Sequence, residues 1–184
     1  MMIDKINLAE SFKMLYNVII IRYSKVIKMQ LDRIKLNQSS NSLSDFLLLK
    51  KIHKIVMKNA VINSVGHWDD SFQEKRLKTI FESNWHTLYF LYYDHELIGT
   101  INLRYEDDHL FVEQFYLLQS YQKKGIGSYL LKTYGNNMEI RLSVLKNDIG
   151  TNEFYKKNGF IKFEEDQYQN HLRKLSSKTT QNHT

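Results

Sequence analysis

Cysteine and proline are both absent from the 184 residues of this chain, and glycine occurs only seven times. Without cysteine there are no disulfides, no thiolate metal sites and no cysteine nucleophile. The same absence agrees with a reducing compartment. Long apolar runs are missing too. The longest, residues 15–21, includes Tyr16 and Asn17 and falls far short of the roughly eighteen residues a membrane-spanning helix needs. Asp4 and Glu10 stand where a secretory signal would be positively charged, and no small-residue cleavage site follows. The expectation is a cytoplasmic protein with no membrane contact.

What is present is ordinary for a globular chain: 42% hydrophobic and 25% charged residues. The length allows one domain with a full core and some trailing material. The net charge of +6 attracts polyanions, and a coenzyme bearing several phosphates is one of these. The basic residues are scattered rather than gathered in one run, and no nucleic-acid recognition motif accompanies them.

Alternation predicts a first short strand over residues 33–37, then a polar loop over 38–42. Ser44 reads as the N-cap of a helix carrying Phe46, Leu47, Leu49, Ile52, Ile55 and Val56. A second helix, with Phe72, Leu77, Ile80 and Phe81, follows the Trp68-Asp69-Asp70 turn. From Thr87 the period changes. Residues 88–93, 97–105 and 110–118 are strand-like and separated by short polar turns, which implies an antiparallel meander. A glycine loop, a helix over 128–134, a strand over 140–145, a helix over 150–157 and strands over 160–163 and 171–175 complete the order. Residues 1–32 read as an extension, with Phe12, Leu15, Val18 and Ile19 spaced for one helical face; a start at Met29 is the competing reading. Residues 176–184 read as a disordered tail.

The loop Gln122-Lys123-Lys124-Gly125-Ile126-Gly127 lies between a strand and a helix. Glycines let such a backbone turn tightly and come close to a ligand. Free N–H groups and the positive end of the helix dipole then make an anion site, to which Lys123 and Lys124 add charge. The P-loop pattern is not met, and a dinucleotide fingerprint would need a small residue where Leu130 stands. A glycine pair that only shapes the turn is the bland alternative.

Downstream, the segment from Leu142 through Val144, Asn147 and Asp148 leads into Phe154-Tyr155-Lys156-Lys157-Asn158-Gly159-Phe160. Gln122, Gly125 and Gly127, followed by Val144, Tyr155, Gly159 and Phe160, resemble the two motifs of the GNAT superfamily of acyl-CoA N-acyltransferases. The resemblance spans residues 33–175. It implies an α+β, three-layer fold: a mixed, mainly antiparallel, twisted sheet whose central strands splay, flanked by helices. It implies an N-acetyltransferase that moves an acetyl group from acetyl-CoA, as co-substrate and without a metal, to a primary amine of a small molecule or peptide by direct attack. Leu117 and Leu118 would meet the pantetheine arm, and Gln122, Lys123, Lys124, Gly125, Ile126, Gly127 and Ser128 the pyrophosphate. Asn147 or Asp148 would take the place of the family's asparagine. Tyr155 would protonate the departing thiolate.

Glu113 shares a strand face with Phe115 and Leu117 and is the candidate base; a strand glutamate at a wet edge is the alternative. Trp68 and Asp69 are candidates for lining the acceptor cleft. Asp69, Asp70 and Glu113 together would suit a cationic amine. His67, Asp69 and Asp70 lack the further ligands that a metal site needs, and the other histidines read as solvated or structural. A homodimer is compatible with this reading. Only eleven residues, 128–138, separate the loop from the next strand. That shortness motivates a competing reading, a coenzyme-binding module with weakened catalysis; a basic nucleic-acid-binding protein is a third.

Overall fold

The computed structural model describes residues 31–83, 86–134 and 138–176. The chain divides into two compact units, Met1–Ile34 and Lys35–Thr184, and the site lies in the second. The expected helix over residues 1–28 falls outside the described residues, as do positions 177–184 of the tail. Among the described residues no helix is long and apolar enough to cross a membrane.

Seven strands form one sheet: β1 (Ile34–Gln38), β2 (Thr87–Tyr93), β3 (Glu96–Tyr105), β4 (His109–Leu117), β5 (Glu139–Leu145), β6 (Ile161–Glu165) and β7 (Gln169–Lys174). Their order is β1-β2-β3-β4-β5-β7-β6. The meander β2–β3–β4 is antiparallel, as is the β5–β7–β6 group, while β4 and β5 run parallel. A parallel neighbour requires a crossover. The glycine loop and helix α3 (Ile126–Tyr134) supply it.

Helices α1 (Leu43–Val65) and α2 (Asp70–Phe81) cover one face of the sheet. Phe46, Leu49 and Ile52 of α1 and Leu77 and Phe81 of α2 bury against Leu88, Phe90 and Tyr116. The N-cap of α1 is Ser42, whose side chain accepts from Asp45 N–H, so the expected cap at Ser44 is corrected by two residues. Leu47 and Ile55 are exposed and His53 is buried. The buried stripe therefore runs through 46, 49, 52 and 53, one helical face.

Helix α3 covers the other face. A side chain at Gly127 would meet Phe154 at 2.8 Å and Phe115 at 3.6 Å, and Phe115 alternates with the inward Tyr116 along β4. Phe154 belongs to α4 (Ile149–Lys157). Three layers result.

Gly99 on β3 marks a close approach of two backbones. A Cβ there would sit 2.0 Å from the Tyr116 carbonyl oxygen. Gly99→Ala must push strands β3 and β4 apart next to the site, a displacement costing on the order of 3 kcal/mol and lowering Tm by about 10 °C. Gly150→Ala is the control, because its nearest neighbour is Asp148 Oδ1 at 3.9 Å. It should raise stability by about 0.5 kcal/mol, both being read by thermal denaturation.

Candidate active site

The parallel pairing of β4 with β5 runs from His109↔Glu139 to Val112↔Leu142 and stops there. Strand β5 continues with β7 to Leu145↔Gln169, and β4 continues with β3 to Gly99↔Leu117. The two central strands are each held on their outer sides while they part from each other. A wedge opens between them, and on its β4 edge the ladder to β5 ends at Val112.

Leu118 N–H donates to Ile98 O at 2.8 Å, and Leu118 O accepts from Tyr121 N–H at 2.8 Å. Because pairing alternates along an antiparallel strand, Leu117 points its N–H and C=O away from β3, toward the wedge. Its carbonyl accepts from Gln122 Nε2 at 2.8 Å. The Leu117 N–H thus faces the open edge, whereas the Leu118 N–H is bonded to Ile98 O. The Gln122 amide folds back to brace β4.

Lys123 and Gly125 have φ of +58° and +82°. Left-handed residues interleaved in this way turn successive N–H groups toward a common side. Gly125 O accepts the first helical bond, from Tyr129 N–H at 3.0 Å. The N–H groups of Gly125, Ile126, Gly127 and Ser128 are left without an intrahelical acceptor. With the dipole of the nine-residue α3 and exposed Lys123 and Lys124, these groups suit a pyrophosphate. The Lys124 ammonium stands over the Tyr121 ring, 5.1 Å from its centroid, and the Tyr121 hydroxyl donates to Glu96. Gly127 is small because Phe154 crosses it, so that glycine serves helix packing.

Asp148 caps α4, accepting from Thr151 N–H at 3.1 Å and Thr151 Oγ1 at 2.7 Å. Asn147 Nδ2 reaches the Asn63 carbonyl of α1 at 3.4 Å. Both residues also have structural partners within the protein. Asn152, missed in the sequence, donates to Leu145 O at 2.9 Å and accepts from Asn170 Nδ2 at 2.9 Å. It fastens the β5 side of the wedge.

Tyr155 is buried, its ring against Phe154 and Phe160 at 5.0 and 5.2 Å. Burial pushes its phenol above the ordinary range, and the neighbouring Tyr116 and Asp148 push further the same way. A phenol so placed stays protonated across the physiological range and has a proton to give.

Glu113 is the first β4 residue beyond the paired stretch, but its carboxylate holds Arg104 Nε at 2.7 Å. It lies on the face of Phe115, the face that α3 covers. The Arg104 ion pair competes with any proton-accepting role of this carboxylate. The other acidic candidates are also engaged. Asp69 caps α2 through Phe72 N–H at 3.0 Å. Asp70 accepts from Lys54 Nζ at 2.8 Å and from Trp68 Nε1 at 2.9 Å, and these hydrogen bonds hold its carboxyl below the usual range. Trp68 itself packs against His53, the ring centroids 5.4 Å apart and the planes tilted by 39°.

His53 is the residue the sequence concealed. It is 1% exposed, with Nδ1 2.9 Å from the Tyr116 hydroxyl and Nε2 3.0 Å from Gln73 Oε1. Gln73 Oε1 can only accept, so Nε2 carries the proton and Nδ1 accepts from Tyr116. Burial pushes His53 down to about 4; the Gln73 bond opposes this and the Arg76 charge adds to it. The signal for His53 was its place in the α1 stripe, three and four residues from Lys50 and Leu49 and next to Ile52.

The comparisons with known proteins agree with this geometry. Residues 84–162 match the family model described as an acetyltransferase (GNAT) domain. PaiA N-acetyltransferase from Thermoplasma acidophilum, solved with coenzyme A, superposes with a TM-score of 0.59 at 20% identity, covering 77% of this chain and 98% of that one. An acetyltransferase from Thermus thermophilus gives 0.62 at 12% identity, over 77% and 96%. The N152L mutant of spermidine N-acetyltransferase SpeG from Vibrio cholerae gives 0.55 at 16% identity, over 82% and 98%. At these identities the structures show a shared fold. Sheet order, splayed strands and glycine loop lie within or beside the matched residues, so that residues 84–162 are similar to a GNAT acetyltransferase domain and the rest of the described chain shares the fold of those structures.

Proposed function

We propose that this chain transfers an acetyl group from acetyl-CoA to a primary amine of a small molecule or peptide, in the cytoplasm, by direct attack. The observation that supports the reading is the joining of two features: a β4 edge whose Leu117 N–H faces the wedge beyond the end of the β4–β5 ladder, and the N–H groups at the start of α3 that have no intrahelical acceptor. One suits a thioester carbonyl and the pantetheine amides beside it; the other suits a pyrophosphate. When bound, acetyl-CoA supplies a thioester whose carbonyl carbon the amine attacks and whose sulfur departs. Leu117 N–H donates to the carbonyl oxygen as negative charge develops there, the kind of stabilisation on which acyl transfer depends most. Tyr155 gives its proton to the sulfur. Loop residues 123–128 fix the far end of the coenzyme, so that the thioester is held rather than merely met.

The acceptor is an amine whose class the acidic residues do not define, since Asp69, Asp70 and Glu113 are engaged within the protein. The competing module without catalysis loses its main motive. Helix α3 is short, but it buries Ile126, Leu130 and Leu131 and presents a complete N-terminal turn. Incubation of the chain with acetyl-CoA and a panel of amines (spermidine, lysine, phenylethylamine and an aminoglycoside) tests the reading. Release of free thiol that depends on one of these amines is expected. Tight acetyl-CoA binding with no thiol release across such a panel would favour the module.

A further inference from the structure

The face of the sheet beneath α1 and α2 carries a polar patch beside its apolar residues Leu88 and Phe90. Thr100 stands directly opposite Tyr116 across β3 and β4, and Asn102 stands opposite Gln114. Cross-strand partners share a face, so these four side chains form one patch. Thr100 and Asn102 are 0% exposed and Gln114 3%. The Thr100 hydroxyl and both polar atoms of Asn102 and of Gln114 have no hydrogen-bond partner among the described residues. Each such group costs about 1–3 kcal/mol, and buried polar groups of this kind call for an explanation. The patch adjoins Tyr116, whose hydroxyl meets His53, which in turn meets Gln73. Tyr116 stands in the stretch of β4 that has parted from β5, one residue before the Leu117 donor.

We propose that Tyr116 and His53 are a proton relay for the acceptor amine, Tyr116 touching the nitrogen and His53 receiving through it. This presupposes the acetyl-transfer reading above. As the N–C bond forms, the nitrogen's proton passes to the Tyr116 oxygen while the Tyr116 hydroxyl proton passes to His53 Nδ1. The C–S bond breaks, and Tyr155 gives its proton to the sulfur. The imidazolium and the Tyr155 phenolate are then reset by return of the proton from His53 through Tyr116 to Tyr155. Tyr116 is near enough to Tyr155 to help hold its phenol protonated. One proton leaves nitrogen, one reaches sulfur, and the protein ends as it began. His53 and Gln73 are positioning residues in this scheme; Tyr116 is the catalytic one.

The charged groups around the pair fit a transient role. Arg76 on α2 disfavours the imidazolium and favours the phenolate, so a proton taken by His53 does not stay. Lys54 and Asp70 neutralise one another at 2.8 Å beside Trp68. The amides of Asn102 and Gln114 and the Thr100 hydroxyl offer dipoles that can reorient toward Tyr116 as its charge changes.

The test compares wild type, Tyr116→Phe and His53→Gln. Acetyl-CoA should stabilise all three equally in thermal denaturation, showing folded chains with the coenzyme site intact. With the amine that releases most thiol in the panel above, each variant should lose about a hundredfold in kcat, with KM for acetyl-CoA unchanged. Turnover by the variants should recover about tenfold per pH unit toward pH 9, because hydroxide then replaces the relay; a merely structural defect lowers kcat by one factor at every pH. Nitrogen-15 NMR of the uncomplexed protein gives a second reading that needs no turnover. His53 Nδ1 should resonate as an acceptor nitrogen, stay neutral down to pH 5, and shift in Tyr116→Phe. Stabilised variants with wild-type kcat or a parallel pH profile would overturn the relay alone, as would a proton on Nδ1 or a His53 titrating near 6.5. Failure of acetyl-CoA to stabilise wild type would instead overturn the acetyl-transfer reading, and the relay with it.

Discussion

Gly125→Asp is expected to abolish binding of acetyl-CoA while leaving the fold in place. Two effects act together. Residue 125 has φ of +82°, a conformation that costs an L side chain roughly 1–2 kcal/mol. The larger effect is charge. A carboxylate at the start of α3 would sit where the pyrophosphate is read to lie. Two like charges about 4 Å apart near a protein surface repel by roughly 4 kcal/mol, which is about a thousandfold in affinity. Gly125→Ala carries the strain without the charge and should lose much less. Calorimetric titration of acetyl-CoA into both variants separates the terms. Near-equal losses in the two would mean that the loop matters for its shape and that the anion lies elsewhere.

Tyr155→Phe is the second large effect, and its signature differs. The ring keeps its contacts with Phe154 and Phe160, so stability and coenzyme affinity should hold. What goes is the proton for sulfur, and kcat should fall by about a hundredfold or more. The direction of the ionisation shift adds a pH expectation. Burial first, then Tyr116 and Asp148, hold the Tyr155 phenol above its ordinary value of 10.0. A raised pKa means the acid form persists to higher pH. Wild-type turnover should therefore show no alkaline fall from this group below pH 10, as a pH–rate profile would reveal. A limb near pH 8 that disappears in Tyr155→Phe would assign an ordinary, solvated phenol instead.

Much of the fold could be read from the chain because its signals are local. The meander showed itself in strand-like runs between short polar turns, and the strands observed differ from those expected by a residue or two at their ends. The glycine loop was legible for a similar reason: a left-handed turn and a helix start are properties of a few neighbouring residues. Side-chain partners were not. Glu113 was placed on the correct strand face, beside Phe115 and Leu117, yet nothing local tells which helix covers that face. Nor does anything local tell that the register shift between Asn102 and Leu103 brings Arg104 within reach of Glu113. Asp148 looked like a displaced asparagine and is a cap for Thr151.

His53 illustrates the same limit from the other side. An isolated histidine on a lysine-rich helix gives no sign of meeting Tyr116, 63 positions away, or Gln73, 20 positions away. Only the packing of α1 and α2 on β4 brings those residues together. Helix α1 was likewise over-read as a hydrophobic face, because Leu47 and Ile55 are apolar but turn to solvent. Apolar spacing shows that a helix has a buried stripe; where two stripes compete, the partner layer decides.

The central claim is that acetyl-CoA occupies the wedge between β4 and β5 with its pyrophosphate on the start of α3. Backbone amide NMR during titration with acetyl-CoA tests it most directly. Among the amides of the described residues, the largest shifts should fall on Leu117 and on residues 124–128, with Leu118 nearly still because its N–H is already bonded to Ile98 O at 2.8 Å. Shifts absent from residues 117 and 124–128, or gathered instead on another surface, would contradict the account.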